Sequence, residues 1–244
     1  MTAERWARAV RQQLGLGRLL PLGGARDGAW IAEGAATEVL RRATREVTGV
    51  HLGALRLGLA GPEYTEEPAV PLPPGALPPG PLRLTADFAA TADMPLPDSA
   101  SRLRLVLATA ATERLGLVVT EVDLRVTGLL DDEEPSAPAT QTAPPVPARE
   151  TTDTEETRAA AAALAAPGVT RLTGALGGPG RAVHIEERQN ADAAQATLAH
   201  RHVRVEVAVD AAYRALDVTR QVRAAISDTL RDHPTVAVLV TAVG

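Results

Sequence analysis

Two stretches of this 244-residue chain run through the same succession of patterns, and a repeat of that kind limits the folds open to it. Ala43-Thr-Arg-Glu-Val47-Thr-Gly49-Val50 has a counterpart in Ala162-Ala-Leu-Ala-Ala166-Pro-Gly168-Val169. An alternating stretch follows each: Leu82, Leu84, Ala86 and Phe88 match Val203, Val205, Val207 and Val209, with Arg83 matching Arg204. Helical spacing comes next, marked by Leu103, Leu107, Ala110 and Ala111 in one copy and by Val218, Val222, Ile226 and Leu230 in the other. Each copy closes on an apolar strand, Val118 to Thr127 and Thr235 to Val243. The order is helix, strand, insertion, strand, helix, strand, twice over.

Within one copy, the glycine after the first helix is expected to end it in the left-handed conformation, and the valine after it to open a strand. Alternation gives the strands one apolar face, which two helices can cover. The expected fold class is therefore α+β: two tandem two-layer α/β sandwiches with small mixed or antiparallel sheets, each covered by two helices. The expected divisions are an N-terminal amphipathic helix and entry segment over 1–34, a first unit over 35–130, an acidic Pro-rich linker over 131–154 and a second unit over 155–244. The first helix is expected over Ala35 to Val47, with Trp30 anchoring the entry to it. The second copy has an extra short strand, Ala182 to Glu187, and a polar insertion, Arg188 to Ala199.

Proline removes backbone donors and favours extended chain, so the eight prolines between Pro62 and Pro81 predict a loop of polyproline character. Asp131-Asp132-Glu133-Glu134 and the Pro/Ala/Thr stretch after it contain too little apolar surface to offset ordering, hence the linker. No apolar run is long enough to cross a bilayer; Ala159 to Ala166 falls well short of about 20 residues. A cytoplasmic protein is expected.

All 25 basic residues are arginine, and there is no cysteine. This excludes Cys-type zinc sites, thiolate nucleophiles, a Walker-A lysine and Schiff-base chemistry. Five aromatics do not make a base-stacking platform. The Ala and Arg bias fits a GC-rich coding sequence. Net charge is -5, divided as +4 over residues 1–60 and -9 over the remainder, which disfavours nucleic acid as a partner of the whole chain.

Trp6, Val10 and Leu14 recur every four residues on one helix face, with Arg5, Arg8 and Arg11 around them. Such a helix either packs on the first unit or docks on a membrane surface or partner. Trp6, Val10, Leu14, Arg8 and Arg11 are the candidate interaction residues. His184 and Glu186 share one strand face, as do His200 and His202; the two pairs could lie opposite in a hairpin and offer imidazole and carboxylate to a divalent ion. The plainer reading is a solvated face, with Arg201 unfavourable for a cation. Gly174-Ala-Leu-Gly177-Gly178-Pro-Gly180 reads as a hairpin turn, since Pro179 deletes an amide a phosphate cradle would need. None of the four serines lies in Gly-x-Ser-x-Gly, and Asp232-His233 has no serine partner. Glu186 and Glu187 point to opposite faces, and Asp228-x-x-x-Asp232 reads as an exposed helix face. No catalytic, cofactor-binding or metal-binding residue is assigned.

The succession Ala166-Pro167-Gly168-Val169, Val203 to Val209, Val218 to Leu230 and Val236 to Val243 resembles the bacterial alkaline-shock and general-stress-protein family over Glu155 to Gly244. The stretch from about Ala35 to Gly128 is a looser copy, making this chain a tandem version of a unit the family carries singly. The resemblance implies a non-enzymatic cytosolic scaffold or interaction protein tied to cell-envelope stress. It also implies self-association or another protein as partner, indirect membrane association, and neither cofactor nor catalytic residues. A chain of this Arg/Ala-rich make-up also resembles proteins labelled as nucleopolyhedrovirus fibrous-body family, but it has no coiled-coil heptads or basic tail for a filament. From another class comes a small-molecule- or nucleic-acid-binding regulator, suggested by the arginine-rich N-terminal third.

Overall fold

The computed structural model describes residues 17–130, 147–149, 151–175, 180–188 and 200–244. In chain order its elements are β1 (Leu19–Leu22), β2 (Ala29–Ala32), α1 (Glu33–Thr44), β3 (Val50–Leu59), β4 (Leu82–Thr91), α2 (Leu96–Thr109), β5 (Val119–Leu130), α3 (Thr154–Ala165), β6 (Val169–Leu172), β7 (Val183–Arg188), β8 (His200–Val209), α4 (Ala215–Thr229) and β9 (Thr235–Val243). A turn of π-helix, Ala110–Leu115, extends α2. The architecture is mixed α/β, with four helices and two sheets of six and three strands among the described residues.

Local chemistry accounts for most of these elements. Strand β4 buries every second residue from Leu82 to Ala90. Helix α1 carries Glu33 in its first turn and Arg41 and Arg42 in its last, complementing the helix dipole. The Asp153 carboxylate caps α3 by accepting from the Glu155 and Glu156 amides at 2.9 and 3.0 Å.

The three-stranded sheet has the order β3-β4-β5, with β3 antiparallel and β5 parallel to β4. The six-stranded sheet has the order β1-β2-β9-β8-β6, and β7 shares the β8 edge with β6. Here too the first strand, β6, is antiparallel to β8 and the last, β9, is parallel to it. Finer details recur. Gly49 and Gly168 both have positive φ, +71° and +86°. The carbonyl of Gly49 accepts from Thr91 at the end of β4, and that of Gly168 from Asp210 just past β8. An extra residue interrupts each parallel pair at a matching place, Thr127 in β5 and Thr241 in β9, and β5 has a second one, Thr120, near its start. Each of these threonines donates its hydroxyl to the strand opposite, at Phe88 O and Val207 O.

These landmarks equate Phe88 with Val207, whereas the sequence match equates it with Val209. A slip of two residues leaves every side chain on its own face, so alternation alone cannot detect it. Other details also differ from expectation. The first helix starts at Glu33 and ends at Thr44, so Gly49 opens β3 instead of capping the helix. Ala166 and Pro167 likewise separate α3 from Gly168. Strands β6 and β7 do not form a hairpin with each other; both lie antiparallel on β8. Asp232 lies beyond the end of α4 and not on its face. The end of the expected linker is docked, with Pro147 bridged to Thr173 and Arg149 to Arg181.

The largest departure lies in the entry segment. Residues 19–32 form an antiparallel hairpin, β1 and β2, and β2 lies parallel against β9. Helix α1 follows directly and packs on β3 and α2 as well as on β9. Its inward face is rich in alanine (Ala35, Ala36, Ala43), which lets one backbone approach two surfaces. The buried residues of both sheets consequently form one contiguous cluster. Trp30, which is 1% exposed, sits in β2, and its indole N–H donates to Leu77 O at 3.0 Å. That bond draws the proline-rich segment onto the hairpin; Leu77 N also donates to Leu19 O, and Val70 is buried.

Arginines of α4 clamp the hairpin turn. Arg223 donates to Arg26 O, Asp27 O and Val236 O, and Arg220 Nε donates to Asp27 Oδ1 at 2.8 Å. Burial pushes the Asp27 carboxyl up, but the Arg220 hydrogen bond, the Gly24 amide and the charges of Arg220 and Arg223 outweigh it and hold it below the ordinary value. Because the folded chain holds this proton less tightly than the unfolded chain, the clamp stabilises the fold above the unfolded pKa of about 3.9. That contribution is lost as pH falls through the lower folded value. Asp27→Asn is expected to lower stability at pH 7 and to flatten the fall in urea midpoint between neutral and acid pH. Parallel midpoint-versus-pH curves for the two proteins would contradict this.

Candidate functional site

Strand β7 lies antiparallel to β8 with His184 opposite Arg204 and Glu186 opposite His202. Residues directly opposite share a face, so the pairing brings together the residues the sequence suggested as a divalent-ion site. Among the described residues, however, no three His, Asp or Glu side chains stand close enough to hold a metal. His202 is buried, and its Nδ1 lies 2.9 Å from Thr235 Oγ1. His184 Nε2 lies 3.1 Å from Arg181 O. Burial, followed by the charges of Arg204 and Arg181, lowers the His184 pKa and favours neutral imidazole.

The same face of β8 carries Glu206, which is fully buried. Its Oε2 accepts from Ala175 N at 2.7 Å, while Thr173 and Thr241 bond through their hydroxyls at 2.7 Å. These contacts tie the segment after β6 onto the sheet. The alternation Val203, Val205, Val207 predicts one apolar face and leaves the other to solvent. The structure covers both faces, so Glu206 had no local signal of burial. On the opposite face, Arg201 pairs with Glu155 and Asp232. His233 contacts the Ser227 carbonyl through Nδ1, so Asp232-His233 belongs to surface pairing and turn geometry. The candidate interaction residues Trp6, Arg8, Val10, Arg11 and Leu14 lie outside the described residues, as do Gly177, Gly178 and Pro179.

The two outer strands of the three-stranded sheet differ sharply. The outer edge of β3 is occupied by side chains. Arg18 Nη2 donates to Leu57 O at 2.6 Å, Glu33 accepts from Leu57 N, and Arg41 Nη2 donates to Gly53 O at 2.7 Å. A register irregularity between Leu52 and Leu55 bends it further. Strand β5 is twelve residues long, has β4 as its one neighbouring strand among the described residues, and is exposed over most of its length. Arg104 Nε donates to Val122 O at 3.3 Å. Val126 is 42% and Leu129 65% exposed. A long edge with unpaired amides and apolar side chains is what strand addition requires. On one β5 face, Arg83 meets Glu121 at 2.5 Å and Asp123 at 3.7 Å, and Arg125 meets Asp87 at 2.9 Å.

In the six-stranded sheet the corresponding strand, β9, has its outer edge covered by β2. Among the described residues, β9 thus has its outer edge covered and β5 has its outer edge open, and β7 on β8 has no counterpart on β4. No family model matches the chain, and no curated protein matches it.

Proposed function

We propose that this chain is a non-enzymatic interaction protein, a cytoplasmic scaffold in cell-envelope stress homeostasis, composed of two tandem two-layer α/β units. The observation that carries the interaction reading is the open edge of β5, with Val126 and Leu129 exposed beside it. The tandem reading is supported by the recurring strand senses, the paired Gly49 and Gly168 contacts and the two bulge threonines. The link to envelope stress comes from the resemblance of residues 155–244 and 35–128 to the alkaline-shock family. A nucleic-acid-binding regulator has less support. Several arginines that would meet phosphates are engaged with backbone carbonyls, as are Arg18, Arg41 and Arg223, or with carboxylates, as are Arg83, Arg125 and Arg201.

Deleting the gene is expected to sensitise the parent cell to an alkaline shift and to a cell-wall antibiotic, with full-length protein restoring growth. Indistinguishable growth of deletion and parent under both stresses would overturn the envelope-stress role.

A further inference from the structure

The geometry points to a specific occupant of the β5 edge: the β5 strand of a second copy of this chain, paired antiparallel across a two-fold axis at Leu124. This rests on the interaction reading above and names its partner. The direction of the backbone groups decides which β5 residues can pair outward. Leu82 N donates to Val118 O, so residue 118 faces β4. The register then passes from Leu82 with Val119 to Arg83 with Glu121, leaving Thr120 as an extra residue. One extra residue inverts the alternation, so Glu121, Asp123 and Arg125 turn their amides and carbonyls to β4, and Val122, Leu124 and Val126 turn theirs outward. Arg104, reaching Val122 O, marks that outer side.

With Leu124 on the axis, Val122 pairs with the partner's Val126, and Leu124 with the partner's Leu124, through those outward groups, the Val122 carbonyl exchanging its 3.3 Å bond from Arg104 Nε for one from the partner's Val126 amide. Asp123 then stands opposite the partner's Arg125, and Arg125 opposite the partner's Asp123. Side chains in such a non-hydrogen-bonded pair approach more closely than in its neighbours, so two symmetry-related charge pairs favour this register. Valine meets valine on the other face. The strand is self-complementary in charge and in shape class, as an isologous contact requires. Two three-stranded sheets would join into one of six. On β3 side chains hold Gly53 O, Leu57 N and Leu57 O, against Val122 O on β5, and the outer edge of β9 is already occupied by β2.

The test is light scattering of the full-length chain at tens of micromolar, with a mass near twice 25.4 kDa expected. Asp123→Arg sets like charges at both cross-strand pairs, and so does Arg125→Asp. Each variant alone is expected to dimerise about tenfold or more weakly. An equimolar mixture restores opposite charges at both pairs and is expected to return to the dimer. Both positions are exposed, and unchanged thermal melting checks the fold. Hydrogen exchange on the unmodified chain gives a second reading: the Val122, Leu124 and Val126 amides should be protected at high concentration and exchange about tenfold faster on dilution below the dimer range. A monomeric wild type, single variants as dimeric as wild type, or a mixture that stays monomeric would each overturn the pairing. Protection unaffected by dilution would do so too, since it would place another part of the same chain on the edge. A monomer from a gene whose loss sensitises cells removes this interface and leaves the stress role standing. A dimer without a stress phenotype does the reverse.

Discussion

A chain ending at residue 234 is expected to lose its cooperative unfolding transition altogether. The missing strand, β9, lies between β8 and β2 and is parallel to both. Its side chains Val236, Val238, Leu239, Val240 and Val243 are all buried. Burial of an aliphatic side chain is worth about 1.5–3 kcal/mol. Five of them together amount to about 8–15 kcal/mol, which is as large as the net stability of about 5–15 kcal/mol typical of a folded domain. The loss extends beyond the C-terminal half. Without β9, the β1–β2 hairpin has no sheet to join, and α1 loses one of the two surfaces it covers. Circular dichroism during heating is the measurement. Val238→Asp tests the same strand with all backbone bonds available, and a carboxylate at a fully buried position is expected to cost more than about 4 kcal/mol. A truncated chain that melts at the wild-type temperature would show that β9 is dispensable.

The second large effect is expected at Gly116, where the π-turn after α2 meets α4. Its φ is +89°, its amide donates to Ala111 O and its carbonyl accepts from Gly23 N. A Cβ built there would overlap Leu216 Cβ and lie 2.9 Å from Leu216 Cδ2. Leu216 is buried, and it fills a notch formed by two glycines, since a Cβ at Gly23 would also come within 3.0 Å of it. Gly116→Val combines a β-branched side chain in the left-handed region with overpacking. The first costs about 1–3 kcal/mol and the second a similar amount, so a loss of about 3–5 kcal/mol is expected. Denaturant midpoints measure it. Leu216→Ala removes the Cγ and Cδ2 contacts without altering φ but keeps the overlapping Cβ, so it relieves only part of the overlap, and the double variant should lose somewhat less than the sum of the two single losses. Strict additivity would mean that the Leu216 side chain beyond Cβ takes no part in the overpacking.

Elements set by local pattern lie close to where the sequence predicts them. Strand β9 spans Thr235 to Val243, where the apolar stretch placed it, and β7 falls within one residue of its expected span. The pair of glycines followed by valine, at 49 and 168, marks the start of β3 and of β6. The bulge threonines were also visible, as Val126-Thr127 and Val240-Thr241, but alternation is interrupted there, so a search for alternating strands passes over them. The hairpin of residues 19–32 left a weaker mark. Leu19-Leu-Pro-Leu22 and Ala29-Trp-Ile-Ala32 are four-residue apolar runs without alternation, bounded by Gly23-Gly24 and Gly28. Short continuous runs of that kind are what strands buried on both faces look like, but periodicity cannot tell them from a buried helix segment.

From residue 33 onward the sequence by itself determined the order of helices and strands and one face that each turns inward, because burial at a period of 2 or 3.6 residues is written into neighbouring positions. Tertiary structure alone decided which strands meet. It set β2 against β9, about two hundred residues away in the chain, shared α1 between two sheets, buried Glu206 on a face that alternation assigned to solvent, and left β5 with an open edge. The reason is physical: backbone hydrogen bonds between strands are the same whatever the side chains, so the choice of neighbour follows from how the whole core closes.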